Sequence, residues 1–309
     1  MKKHLSLLAT ISVFLLMVIG ASLKFKGFFS LDVFVNLVRD NAFLGVAAVG
    51  MTFVILSGGI DLSVGGMIGF TSVLVGSLIT KQHLGPGLSI GIALAVGSLI
   101  GCGMGFVIGK FELPPFLVTL AGMFLTRGLA LIVSRETVSI DNPFYDKISA
   151  AKFALPSIFL VVLLVGLYLA HFRRFGRAVY AIGGSESSAL LMGLPVRNTK
   201  LKVYALSGFC SALAGVLYTF YRSGGDPNAA TGLELDTIAA VVIGGTLLSG
   251  GVGSLIGTLF GVLILGVIQT AIDFQGTLSS WWSKIVIGGL LLVFILLQKA
   301  LSIRKSPGT

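Results

Sequence analysis

The chain contains 309 residues, of which 55% are hydrophobic and only 11% are charged. Because soluble domains carry about 25% charged residues, this composition excludes a water-soluble protein and indicates a chain that lies mostly within a membrane. The net charge is +10, yet the basic residues lie in short loops between apolar segments. In that position they set the orientation of a membrane protein, so the positive charge does not indicate binding to nucleic acid.

A transmembrane helix needs about 20 predominantly apolar residues. Ten apolar segments of this kind follow one another along the chain, although the second and eighth are short and rich in glycine. They are residues 5–22, 42–58, 64–80, 88–109, 115–133, 154–171, 203–221, 237–250, 252–272 and 282–301. The sequence therefore predicts an all-α polytopic membrane protein, a single domain over residues 1–309 with about ten transmembrane helices.

The charges between these segments predict their orientation. Six segments lie between the basic N-terminus and the basic loop at 172–202, and four more lie between that loop and the basic C-terminal tail. Because both numbers are even, all three lie on one side of the membrane, and their positive charge places them in the cytoplasm. The net acidic loop at 222–236 is then outside, and the basic loop at 23–41 is a mild exception. A cleaved signal peptide over the first segment is the alternative, but its apolar run is long for such a signal. The basic residues are Lys2, Lys3, Arg173, Arg174, Arg177, Arg197, Lys200, Lys202, Arg304 and Lys305.

The stretch SGGIDLSVG at 57–65 places a carboxylate and two hydroxyls between two apolar segments. A charge within the bilayer costs about 3 kcal/mol or more, and a backbone broken by glycine is tolerated there only inside protein or along a cavity. We therefore expect Ser57, Asp61 and Ser63 to lie along a polar translocation path. Thr119 and the equally costly Arg127 of the fifth segment join these candidates. Alternatively, Asp61 and Arg127 pair to fix the bundle, or each reaches an interface.

No catalytic group of residues is evident in the sequence. The three histidines lie at segment ends or in loops, which makes a metal site improbable. Gly109 and Lys110 are followed by Phe111, where a phosphate-binding loop needs a hydroxyl residue. We therefore expect a chain that is not an enzyme, binds no cofactor or metal, and does not itself hydrolyse ATP.

Glycine patterns suggest how the helices pack. Glycines recur every four residues in two segments, which favours close helix packing within the bundle, with a dimer contact as the alternative. Ser57-Gly58-Gly59 also resembles Ser249-Gly250-Gly251, and transporters are often built from such repeats near the translocation path. The repeating glycines are Gly97, Gly101, Gly105 and Gly109, followed by Gly253, Gly257 and Gly261.

The basic loop contains the signals of a short helix. Ser185 is a suitable N-cap for a helix from Ser185 to Met192, Gly193 closes it, and Pro195 prevents its continuation. A capped helix of this size between two membrane segments suits docking into a groove of a partner. The alternative is a solvated loop helix.

The chain resembles the permease subunits of ribose-type ABC sugar importers, a group that also includes branched-chain amino acid permeases. The resemblance extends over nearly the whole chain, and within the family it points to permeases of galactofuranose importers, whose membrane part pairs two related permeases. Its carriers are SGGIDLSVG at 57–65, PPFLVTLAGMFLTRGLAL at 114–131, the stretch at 176–196 that ends in AIGGSESSALLMGLPV, and GLELDTIAAVVIGGTLLSGGVGSLIGTLFG at 232–261.

The resemblance implies a fold similar to the vitamin B12-type importers, in the bacterial inner membrane and in contact with its lipids. It implies a second permease, either a paralogue or another copy, cytoplasmic ATPase subunits, and a periplasmic sugar-binding protein that delivers a monosaccharide. The expected contacts with the ATPase are Ser185, Glu186, Leu190, Leu191 and Gly193 in the coupling loop at 172–202. Those expected with the binding protein are Asp226, Glu234 and Asp236. A branched-chain amino acid permease and an ion-driven secondary transporter remain alternatives.

Overall fold

The computed structural model describes residues 2–277, 279 and 281–303, so the basic tail at Arg304 and Lys305 lies outside the described residues. The described residues form fourteen helices and two short strands. The helices are α1 (Lys2–Lys24), α2 (Leu31–Asp40), α3 (Ala42–Leu56), α4 (Val64–Thr80), α5 (Pro86–Phe111), α6 (Pro115–Val133), α7 (Pro143–Ala150), α8 (Ala154–Phe172), α9 (Arg174–Gly184), α10 (Glu186–Leu191), α11 (Val196–Arg222), α12 (Leu233–Ile243), α13 (Leu255–Gln275) and α14 (Trp281–Ile303), and the strands are β1 (Val138–Ser139) and β2 (Gly224–Gly225).

Six of the described helices are long and apolar enough to cross a membrane: α1, α5, α6, α8, α11 and α13. A seventh crossing results if α2 and α3, which meet at 55°, count as one bent span. The apolar stretches of α4 and α14 are shorter than this test requires. Each of the ten predicted segments contains helical residues, which confirms an all-α polytopic membrane protein, whereas the count of ten crossings stays a prediction.

Helix α3 lies at the centre of the molecule. Every residue of α3 except Phe43 is buried, and a helix that is apolar on all sides must be surrounded by other helices. It contacts α11, α8, α12 and α13. Helix α11 is the longest, with 27 residues, and at 1.5 Å per residue it extends about 40 Å. Helix α11 runs from one end of the bundle to the other. The end that contains the basic loop at 172–202 is named the basic end, and the end that contains the acidic loop at 222–236 is named the acidic end.

The glycines of α5 pack against α11 inside the chain, which confirms the prediction of packing within the bundle. A Cβ atom added to Gly101 would overlap the carbonyl oxygen of Tyr204 and lie 3.0 Å from the Cα of Gly208. Added to Gly105, it would lie 2.8 Å from the Cα of Leu201. The two backbones are therefore too close for any side chain along this contact.

Replacing Gly101 with valine is expected to separate α5 from α11 and to destabilise the bundle by about 1–3 kcal/mol or more, because overpacking forces backbone shifts. Gly103 offers a matched control, since a Cβ atom there meets nothing within 4 Å. The measurement is the thermal unfolding of detergent-purified Gly101→Val and Gly103→Val. Equal unfolding temperatures for the two variants would contradict the packing described here.

Three local features differ from the predicted segments. The loop at 23–41 contains α2, whose polar residues dilute its hydropathy, and the basic loop contains α9 in addition to α10. Helix α12 begins at Leu233 and ends at Ile243, seven residues before the predicted end of its segment. The glycines that follow explain this early end, since Gly245 and Gly250 have φ values of +90° and +84°, outside the helical region.

Candidate translocation and coupling sites

Asp61 lies in the turn between α3 and α4 and is fully buried. Its Oδ1 accepts hydrogen bonds from the backbone N–H of Ser63 at 2.9 Å and from the Ser63 hydroxyl at 2.6 Å. Its Oδ2 accepts a hydrogen bond from the hydroxyl of Ser207 in α11 at 2.6 Å. The carboxylate therefore fastens the start of α4 to the middle of α11.

This arrangement explains how a carboxylate is tolerated in the interior. A buried charge is costly unless it is paired or hydrogen-bonded. The Asp61 carboxylate accepts three hydrogen bonds of 2.6–2.9 Å. It also lies three residues before Val64, the first residue of α4, near the positive end of the helix dipole, which favours a negative charge. The glycines of the motif let the chain turn here, since Gly58 has a φ of +84°.

The other residues predicted beside Asp61 surround the same turn. The Thr119 hydroxyl donates to the carbonyl oxygen of Ile60 at 3.1 Å and to that of Pro115 at 3.0 Å. The Ser57 hydroxyl donates to the carbonyl oxygen of Val54 at 2.7 Å. Ser57, Ser63 and Thr119 thus lie in or beside the turn that carries Asp61, with their hydroxyls bound to the protein itself, and their place along a translocation path stays a prediction.

Sequence reasoning missed Ser207 and Tyr204. Tyr204 is 1% exposed, and its hydroxyl lies against the Cα of Gly59 with no hydrogen-bond partner among the described residues. Both residues belong to α11, which was predicted only as an apolar segment. A buried tyrosine usually has a partner for its hydroxyl, and Tyr204 departs from this pattern. Tyr204 and Asp61 are two polar side chains in this part of the interior.

Arg127 does not join this group, and the alternative in which Asp61 pairs with Arg127 is wrong. The Arg127 side chain donates from Nη1 to the carbonyl oxygen of Ala229 at 2.7 Å and from Nη2 to that of Ala230 at 3.1 Å. Arg127 therefore fixes the loop between β2 and α12 onto α6.

Two of the three acidic residues predicted to contact a binding protein are engaged within the chain. Asp226 accepts a hydrogen bond from the backbone N–H of Asn228 at 2.8 Å, and Asp236 pairs with Lys284 of α14. Glu234 is half-buried beside Arg127. Asn228, Thr231 and Leu235 are among the exposed residues at this end. The contact of Asp226, Glu234 and Asp236 with a binding protein stays a prediction.

Replacing Arg127 with methionine is expected to lower the free energy of unfolding by about 2 kcal/mol or more, because hydrogen bonds to a charged group contribute about 1.5–3 kcal/mol each. Arg135, exposed just beyond α6, gives the matched control Arg135→Met. Thermal unfolding and protease cleavage within 226–232 are the measurements. An Arg127→Met variant with the stability and protease resistance of the control would contradict the role assigned to this side chain.

At the basic end, α10 has the predicted caps. The Ser185 hydroxyl accepts the backbone N–H of Ser188 at 3.2 Å, and Gly193 follows the helix with a φ of +74°. Glu186 pairs with Lys200 at 2.5 Å, which ties α10 to the first turn of α11. The predicted helix is confirmed over Glu186–Leu191.

The tip of α10 is apolar and exposed. Leu190, Leu191 and Met192 are 65%, 89% and 68% exposed, whereas Ala189 is fully buried. Ala189 belongs to a small apolar cluster with Ile182 of α9. One side of α10 is thus anchored to the chain and the other is left free. Adjacent exposed apolar side chains of this kind mark an interaction site.

The chain matches, over residues 33–295, the protein family described as the permease component of the branched-chain amino acid transport system. The chain belongs to this permease family. Members of the family are transport subunits and not enzymes, which agrees with the function predicted from the sequence.

The permease is similar over its whole length to three curated proteins. It is 49% identical to the inner membrane ABC transporter permease protein YjfF of Escherichia coli, covering 98% of this chain and 94% of that protein. It is 38% identical to the fructose import permease FruG of Bifidobacterium longum, covering 95% and 90%. It is 34% identical to the ribose import permease RbsC of Escherichia coli, covering 93% and 92%. No solved structure is significantly similar to the permease.

Proposed function

We propose that this permease is the transmembrane subunit of an ATP-driven ABC importer that carries a monosaccharide, specifically galactofuranose, into the cytoplasm. The observation that carries the proposal is similarity over at least nine-tenths of the chain to permeases named for ribose and fructose import. The motif SGGIDLSVG and the exposed tip of α10 support it, since the first is shared with the ribose type and the second suits a partner protein.

Two other functions are weighed against this proposal. The family takes its description from branched-chain amino acid transport. The relatives FruG and RbsC, whose names state a substrate, are, however, import permeases for the sugars fructose and ribose. An ion-driven secondary transporter would need no partner at the basic end. The exposed Leu190, Leu191 and Met192 argue against that function, because a solvated apolar tip without a partner has no stabilising role.

The proposed topology has ten crossings, with both termini and α10 in the cytoplasm of a bacterium and the acidic end in the periplasm, in a fold of the vitamin B12 importer type. The seven spans that result when α2 and α3 count as one would be joined by α4, α12 and α14. Helices α4 and α12 are short, with 17 and 11 residues, because the turn at Asp61 and the loop at 226–232 take up part of the membrane thickness. Such broken segments are common where transporters bind or pass substrate.

The partners follow from this orientation. The tip of α10 would dock into a groove of an ATPase subunit, with Ser185, Glu186 and Gly193 holding the helix in place. A periplasmic binding protein would meet the acidic end, where the loop held by Arg127 presents Asn228, Thr231 and Leu235. A second permease, related or identical, would complete the path, beside which Asp61, Ser63 and Thr119 set the position of α4.

The test is purification of the permease from native membranes in mild detergent, followed by identification of its partners and reconstitution into vesicles. We expect a stoichiometric ATPase and a second permease to copurify. Vesicles with the binding protein should take up labelled galactofuranose only with ATP, and leucine not at all. Uptake by the permease alone, driven by an ion gradient, would contradict the proposal. ATP-driven uptake of leucine would show instead that the permease belongs to the amino acid transporters of the family.

A further inference from the structure

The two Ser-Gly-Gly turns that resemble each other in the sequence meet in space. The backbone N–H of Gly251 donates to the carbonyl oxygen of Leu56 at 2.9 Å. A Cβ atom on Gly250 would lie 2.8 Å from the nitrogen of Gly58. The turn between α3 and α4 therefore packs, backbone on backbone, against the loop between α12 and α13.

The end of α9 completes this contact. A Cβ atom on Gly183 would overlap the carbonyl oxygen of Leu56 and clash with the nitrogen of Gly251. A Cβ atom on Gly251 would lie 2.7 Å from the Cα of Gly184. We name these three segments, residues 56–59, 183–184 and 250–251, the glycine junction. Side chains have no room at Gly183, Gly250 or Gly251. Gly58 is instead required by its φ of +84°, and a Cβ atom on Gly184 would meet nothing within 4 Å.

The glycine junction lies directly between α10 and the interior turn. Ser185, which follows Gly184, is at once the C-cap of α9 and the N-cap of α10. On the other side, Gly59 is two residues from Asp61. A second contact supports the same connection, since the Tyr180 hydroxyl of α9 donates to the carbonyl oxygen of Gly253 at 3.1 Å. A displacement of α10 therefore reaches two interior turns through one close backbone contact.

We propose that the glycine junction is the mechanical link that carries the movement of α10 to the turns at residues 57–59 and 249–251, with Gly183 as its positioning residue. The inference rests on the proposed function, in which an ATPase moves α10. Packed interiors have low compressibility and transmit strain. Where backbone atoms touch directly, no side chain lies between them that could change rotamer and absorb the displacement. The two turns, which contact each other as well as the end of α9, then move together.

The chain provides a matched pair of variants for the test. A Cβ atom added to Gly184 meets nothing within 4 Å, whereas one added to the preceding Gly183 clashes with two backbones. In vesicles with the complete importer, we expect Gly183→Ala to raise the ATP hydrolysed per sugar imported at least tenfold, and Gly184→Ala to stay within twofold of the unmodified protein. A Gly183→Ala variant with the same ratio as Gly184→Ala would overturn the link.

A disulfide provides a second measurement that does not depend on the folding of Gly183→Ala. Gly184→Cys and Val252→Cys, in a background with Cys102→Ser and Cys210→Ala, would join α9 to the loop before α13. A rigid link predicts that the disulfide forms both without nucleotide and in the vanadate-trapped complex, and that uptake continues within twofold. A disulfide that forms in only one state, or that stops uptake, would overturn the inference. Absence of ATP-driven uptake by the unmodified complex would instead overturn the proposed function.

Discussion

Replacing Leu191 with glutamate is expected to reduce ATP-driven uptake by the assembled importer at least tenfold while leaving the permease folded in the membrane. The side chain is 89% exposed, so the substitution disturbs little within the chain itself. In a docked complex the new carboxylate would lie in an apolar groove without a partner. A central contact of this kind is worth about 2 kcal/mol or more, which corresponds to a loss of affinity of about thirtyfold.

The measurement compares uptake, ATP hydrolysis and copurification of the ATPase for Leu191→Glu with those for Leu191→Met. Methionine is apolar and of similar volume, so it should retain most of the uptake. Membrane insertion and the thermal unfolding temperature should be equal in the two variants. Normal transport by Leu191→Glu would remove the docking role of α10, and a glutamate variant that failed to enter the membrane would place Leu191 in the fold instead.

Replacing Asp61 has the second large expected effect. Asp61→Ala leaves three buried donors without an acceptor, namely the N–H and hydroxyl of Ser63 and the hydroxyl of Ser207. Each unsatisfied group costs about 1–3 kcal/mol, so we expect loss of the assembled permease. Asp61→Asn keeps the shape and one acceptor oxygen. It should assemble with lower stability and import sugar several-fold more slowly, because the turn is held less firmly against α11.

Two serines on one face of α11 provide the control. Ser207 donates to Asp61, whereas Ser211, one turn further on, is 1% exposed and its hydroxyl has no hydrogen-bond partner among the described residues. Ser207→Ala should therefore destabilise the permease, and Ser211→Ala should be neutral or stabilising. The double variant of Ser207→Ala with Asp61→Asn should show a coupling energy of about 1 kcal/mol or more. Additive effects, or unchanged uptake in Asp61→Asn, would show that the turn is only packing.

Features fixed by neighbouring residues were predictable from the sequence. The cap at Ser185, the stop at Gly193 and the exposed tip of α10 depend on side chains within a few residues of one another. The ten apolar segments were likewise predictable, because hydropathy is summed over a local window. The all-α class and the position of α10 followed directly from these local signals.

The partners of the interior polar groups could not be predicted in this way. Ser207 lies 146 residues from Asp61, and the carbonyls bound by Arg127 lie 102 and 103 residues from it. A hydroxyl in an apolar segment gives no sign of which helix it faces, and a helix buried on all sides, such as α3, has no polar face to orient it. The long-range packing of α4, α6 and α11 decides these pairs.

The order of synthesis sets a constraint on α6. The chain makes Arg127 102 residues before the first carbonyl that binds it, and at about 5–20 residues per second the guanidinium waits roughly 5–20 s for that partner. During this interval an arginine within the bilayer costs about 3 kcal/mol. Helix α6 therefore gains the stabilisation of these two hydrogen bonds only after α11 and the following loop have been made.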